Sequence, residues 1–284
     1  MKRRSVIQFL GFMALRVCLY LVLAALLVFL YDIGKKGGGA ISWEFLSKMP
    51  RRGMTEGGIF PAIYGTFLVT MVTALLAVPM GMFAAIYLNE YAKQTRITRL
   101  IRLSIRNLSG VPSIVYGLFG VILFVNILKF GTSILSAGLT LGLMTLPWTI
   151  TASEEALKTV PNSYREGALA LGATKWQSIR TNVLPYALSG MLTGTVLGLA
   201  RAAGETAPIM FTGAAFALPF LPKSLSDQFM ALPYHLYIMA TQHHDLAKAR
   251  PLAYGTALVL IVFVLGMNMI AVVLRYRLRR KRMS

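Results

Sequence analysis

Phe60 to Leu88 reads FPAIYGTFLVTMVTALLAVPMGMFAAIYL, and not one of its residues is charged. A helix crosses a bilayer with about 20 mostly apolar residues. This stretch exceeds that length and leaves room for tilt, although Pro79 and Gly81 interrupt it. A helix that is apolar all round, rather than along one stripe, belongs in lipid or in a deep core.

The neighbouring sequence decides for lipid. Comparable apolar blocks cover about residues 9–31, 109–128, 132–150, 185–208 and 252–274. Over its 284 residues the chain is 56% hydrophobic and 14% charged, with a mean hydropathy of +0.64. A soluble domain carries about a quarter charged residues. The expected fold class is therefore an all-α polytopic membrane protein with six transmembrane helices. Four regions follow: a first helix and loop at 1–58, a main helical domain at 59–275, a polar segment inside it at about 151–186, and a basic tail at 276–284. Lys2, Arg3 and Arg4 before the first block would also suit a signal peptide, but cleavage would leave the sidedness of the later spans unchanged. Arg16, early in that block, is placed to snorkel to the interface.

The net charge of +19 does not indicate nucleic acid, because the basic residues cluster in short segments beside the apolar blocks. One such segment, EYAKQTRITRLIRLSIRN at 90–107, interleaves Arg96, Arg99, Arg102 and Arg106 with Ile97, Leu100, Ile101 and Ile105. That pattern predicts a basic amphipathic helix at the membrane surface. The N-terminus, 89–108, 151–184 and the tail together carry about twice the lysine and arginine of the alternate loops, which places both termini in the cytoplasm. Cys18 has no partner for an intrachain disulfide. His243 and His244 read as loop residues, and neither a metal site nor a cofactor is called for.

The polar segment TASEEALKTVPNSYREGALALGATKWQSIRTNVLP, 151–185, punctuates itself. Pro161 stops one helix. Asn162 or Ser163 caps the next, about Tyr164 to Leu171, which Gly172 ends in a left-handed turn. Thr174 caps a third helix that runs on towards Pro185. Ala168, Leu169 and Leu171 give the short middle helix an apolar face with little of its own chain to cover it, which marks a contact site. The alternative is packing on the other cytoplasmic helices.

The spacing E-x-A-x3-G-x11-L-P, on Glu166, Ala168, Gly172, Leu184 and Pro185, resembles the EAA loop of ABC-importer permeases. Gly167 departs from the Ala usual there, at about 1 kcal/mol to the helix. Asn182 stands where Ile is usual. The resemblance extends over about residues 60–275. NLSGVPSIVYGLFG at 107–120, RAAGETAP at 201–208 and ALPYHLY at 231–237 are similar to the phosphate-specific permeases, and the last leans to their PstA-type subunit. It implies a MetI-like, type I importer permease domain in a bacterial inner membrane. Glu166, Gly167, Ala168, Leu169 and Gly172 would form the coupling helix that docks into a cytoplasmic ATPase. The implied partners are a PstC-type second permease, two ATPase subunits, an extracytoplasmic phosphate-binding protein and membrane lipid. The chain has no G-x-x-x-x-G-K-[ST] loop, so hydrolysis would belong to the partner ATPase and this chain would not be an enzyme.

Arg201 and Glu205 interrupt the fifth apolar block. On one continuous helix, residues four apart share a face, and an intramembrane charge costs about 2.5–3.5 kcal/mol on insertion scales. Such a pair faces a cavity or fixes helix packing, and residue chemistry alone leaves both readings open. The resemblance implies the first, since these positions match residues implicated there in phosphate passage. Guanidinium offers a planar fork to a tetrahedral oxyanion. A carboxylate can accept a hydrogen bond from the proton that phosphate carries at neutral pH, whereas sulfate has no proton to offer. Gly190, Gly194 and Gly198 form a small-x3-small stripe beside the pair. The alternatives are a permease for sulfate or molybdate, or a membrane scaffold or sensor that does not conduct.

Overall fold

Long apolar runs become long helices in the computed structural model, which describes residues 2–280. Helix α1 spans Lys2–Gly38, α3 Phe60–Ile86, α6 Ile134–Lys158, α9 Leu184–Ala203 and α12 Leu246–Arg280. Between α1 and α3 lie a short helix α2 (Trp43–Ser47) and a small hairpin of β1 (Pro50–Arg51) with β2 (Glu56–Gly57). The remaining helices are α4 (Arg96–Leu108), α5 (Ser113–Gly120), α7 (Ser163–Ala170), α8 (Lys175–Ser178), α10 (Ala207–Thr212) and α11 (Leu232–Thr241). Among the described residues five helical segments can cross a membrane by length and apolarity, and the bent pair α4 and α5 supplies a sixth.

Four boundaries differ from those expected. The first helix runs on through Gly38, into a segment that its glycines mark as loop. The third crossing starts at Ser113, not Ser109, and stands at 100° to α4. From Ser113 its helix, α-helical and then π-helical, continues to Ile127, about 22 Å at 1.5 Å per residue. The fifth begins at Lys175, passes through a π-helical turn at Ile179–Val183, and stops at Ala203 instead of Pro208. The basic tail continues α12 as far as Arg280, and its end, 281–284, lies outside the described residues.

At the bundle centre α6 packs between α3 and α9, and α12 lies on the far side of α9. Small residues set the distance along the α6–α9 seam. A Cβ at Gly190, Gly194 or Gly198 would meet Ala156, Ala152 or Trp148 at 3.0, 2.5 and 2.6 Å. The seam thus pairs positions four apart on one helix with positions four apart on the other, as close helix contact in a membrane demands. Trp148 Nε1 also donates to Gly194 O at 3.2 Å.

Hydroxyls inside this bundle turn back on their own helices. Thr66, Thr70, Thr73, Thr140, Thr145 and Thr195 each donate to the carbonyl four residues earlier. Each of these six donors is thereby satisfied on its own helix, and Thr73 Oγ1 also lies 3.2 Å from Gly138 O of α6. At one end of the bundle Ala85, Leu157, Val183 and Met191 form an apolar core near α7. At the other end Phe45, Met54, Met230 and Leu232 pack α2 and α11 onto α3 and α12.

Candidate substrate pathway and coupling site

Helix α9 ends early because Gly204 caps it, its N–H reaching back to Ala202 O and Arg201 O. Arg201 therefore sits in the last helical turn and Glu205 just beyond it, before Pro208 helps start α10. The pair does not share a face of one continuous helix, as the spacing predicts. Arg201 Nε still lies 3.8 Å from Glu205 Oε1, with the two side chains 65% and 18% exposed. That separation exceeds a hydrogen bond, and no hydrogen bond to the Arg201 guanidinium occurs among the described residues. The cation is left available.

Both side chains line a cavity of about 280 Å³ whose opposite wall is the junction of α4 and α5. Gly110, Val111, Pro112 and Ser113 form that wall, and Thr145 and Trp148 of α6 form another. The two motifs SGVPSIVYG and RAAGETAP, about ninety residues apart in sequence, so meet across one space. Pro112 serves as the N-cap of α5 and offers no side-chain cap. Proline at that place pre-sets the turn into a helix. The positive end of α5, with its uncapped amides, thus borders the same cavity as Arg201. Tyr116 Oη donates to Leu108 O at 2.9 Å and ties α5 to the end of α4.

Thr145 and Trp148 lie near the middle of α6, a helix of 25 residues and about 37 Å. The cavity is accordingly central along the bundle. Irregular backbone at such a depth is tolerated where it lines a cavity, and residues 204–206 and 109–112 both do so or adjoin it. Trp148, Thr145 and the 110–113 turn were not singled out from sequence as site residues. Apart from the resemblance of 107–120, the signal for the turn is Gly110 and Pro112 beside a helix start, which says nothing of what it faces.

The predicted coupling helix is present as α7, with Glu166 in its first turn. Gly172 adopts φ +84° and ends it in the left-handed conformation expected. Asn162 is its N-cap but makes no side-chain cap bond, whereas Thr174 and Gln177 form a full capping box on α8. No residue of α7 is buried. Leu171 is 90% exposed and Leu169 about half, and the sites that a Cβ would take at Gly167 and Gly172 are open. The apolar tip is thus uncovered, and packing on the other helices does not hide it.

A bundle with a bent third crossing, a broken fifth and an exposed helix–turn–helix between the fourth and fifth defines a membrane permease. Residues 77–283 match the family described as "binding-protein-dependent transport system inner membrane component", and the chain belongs to that family. A probable ABC transporter permease protein YqgI of Bacillus subtilis is 31% identical, over 88% of this chain and 89% of that protein. The phosphate transport system permease protein PstA 1 of Mycobacterium tuberculosis is 36% identical, over 80% and 73%. PstA of Haemophilus influenzae is 32% identical, over 84% and 83%. Among solved structures, the inward-facing MetNI methionine ABC transporter matches with TM-score 0.62 at 17% identity, over 76% of this chain and 94% of that one. A bacterial alginate ABC transporter matches with TM-score 0.64 at 14% identity, over 93% and 95%. At those identities the structural matches speak for the fold alone.

Proposed function

We propose that the chain is the PstA-type permease subunit of an ATP-driven importer of inorganic phosphate. It supplies one half of the translocation pathway, a PstC-type permease the other, two ATPase subunits the energy and an extracytoplasmic binding protein the cargo. Both termini and α7 lie in the cytoplasm of a bacterial plasma membrane. The observation that carries this reading is the convergence of Arg201, Glu205 and the uncapped end of α5 on one central cavity.

Arg201 offers its fork to the oxyanion, and the α5 amides add a fixed positive dipole that costs no reorganisation. Glu205 accepts a hydrogen bond from the O–H that phosphate still carries at neutral pH, and its charge repels sulfate. The carboxylate also tempers the attraction, since a pathway site must release what it holds. ATP binding closes the ATPase dimer, moves α7, and reorients the bundle around the cavity.

Uptake of radiolabelled phosphate into vesicles holding the complete complex tests this. Arg201→Gln is expected to lower the rate at least about 100-fold, in line with the loss of one charge-stabilising donor. Glu205→Gln should let sulfate compete. Phosphate uptake that survives loss of both side chains rejects the site. Sulfate or molybdate uptake by the unaltered complex favours the other oxyanions. Assembly without any uptake favours a scaffold or sensor.

A further inference from the structure

Helix α7 buries no residue, so apolar packing gives it little purchase on the bundle. One side chain does reach inward. Arg165 Nε and Nη2 donate to the two carboxylate oxygens of Glu90 at 3.1 and 2.7 Å. The same guanidinium donates to Leu157 O at 3.2 Å, in the last turn of α6, and to Val160 O at 2.9 Å, just beyond it. Glu90 is only 5% exposed and stands in the π-helical turn Tyr87–Tyr91 that continues α3. Its Oε1 also accepts from Asn89 at 2.8 Å.

We infer that Arg165 is the positioning residue that couples α7 to the pathway, joining it rigidly to the ends of α3 and α6 at once. This rests on the proposed function, because it presumes that an ATPase moves α7. The chemistry favours arginine specifically. Its planar fork fixes both distance and angle to the carboxylate, whereas a lysine ammonium fixes distance only. Leu157 O lies at the negative end of the α6 dipole, which a cation stabilises. The join leads directly to the cavity, because Thr145 and Trp148 lie on that same α6. Two lesser contacts fall in parallel: Lys175 Nζ lies 5.0 Å from the Tyr91 ring centre, and Tyr164 meets Tyr186 edge-on at 5.4 Å. Tyr186 packs in turn on the apolar core that holds Leu157, so this contact runs beside the fork, which alone fixes both distance and angle.

The test is the ratio of phosphate imported to ATP hydrolysed, measured on the complete complex in vesicles loaded with binding protein. Arg165→Gln and Glu90→Gln are each expected to lower that ratio about tenfold, as one charge-assisted fork is lost. Arg165→Lys should fall between these and the unaltered chain. The ATPase should still co-purify, since the exposed tip at Leu169 and Leu171 is untouched. A variant that merely assembles less well lowers both rates and leaves the ratio fixed, and an unchanged ratio in Glu90→Gln overturns the inference. Should Arg165→Gln fail to accumulate, Glu90→Gln decides alone, because it keeps the side-chain shape while removing the charge and one of the two acceptor oxygens. If the unaltered complex hydrolyses ATP but imports no phosphate, the proposed function fails instead.

Discussion

Single residues set the tolerances of this bundle. Gly194 sits opposite Ala152 with no room for a methyl group. Gly194→Ala is expected to cost about 1–3 kcal/mol by overpacking, visible as a lowered melting temperature in detergent. Ala152→Gly should recover part of it, and a double-mutant cycle without coupling would show that the seam is not the cause. His235 poses a different test. Burial lowers its pKa to about 4, and a smaller electrostatic contribution from nearby His243 works in the same direction. The folded state therefore prefers neutral His235, while the unfolded chain takes up a proton below about pH 6.5. Stability should be unaffected above that pH and fall as pH drops from 6.5 towards 4, by roughly 3 kcal/mol in all. His235→Gln should flatten the fall in unfolding midpoint across that range; an equally steep fall would assign it to other groups. His243 has a visible task. Asp245 N donates to its Nδ1, so its Nε2 carries the hydrogen and donates to Gly53 O at 2.7 Å. That bond holds the turn Arg52–Met54, whose three residues all have positive φ.

Elements show where sequence reading succeeds and where it stops. The helix–turn–helix around α7 was legible nearly residue by residue, because proline, glycine and capping threonine act on their immediate neighbours. The crossings were legible as existing, because apolar length is a local property. The ends of the fifth were not. Gly204 followed by Pro208 is a stop and a restart, but an apolar block on either side hides it. The meeting of residues 110–113 with 201–205 depends on the α4–α5 bend and the seam, which no window of sequence contains. Arg102 is a further case. It belongs to the amphipathic helix by pattern, yet it turns into the bundle and meets buried Glu154 at 2.8 Å and Leu88 O at 2.7 Å. At this scale the exposed tip of α7 gives a direct prediction. Leu171→Asp should abolish co-purification of the ATPase without shifting the melting temperature, since an exposed side chain carries little folding energy. Retained co-purification would move the docking surface elsewhere.

For the whole molecule, sidedness is the property on which the proposed function most depends. In a Cys18→Ser background, Trp43→Cys should react with a membrane-impermeant maleimide in intact cells, because Trp43 is exposed at the end opposite α7. Leu171→Cys should react only in inside-out vesicles. The reverse pattern would invert the bundle and make the chain face an ATPase with the wrong end. The arrangement of α1 has its own consequence. This helix packs chiefly on α12, its Gly37 lying against the Tyr254 backbone, and residues 8–30 are exposed along it. Helix α1 is made before α12 and so finds its main partner only once α12 has followed it into the membrane. Until then α1 has lipid for a neighbour over most of its length, and a product that stops short of α12 never acquires the contact. Docking of α1 is therefore a sign that α12 is in place.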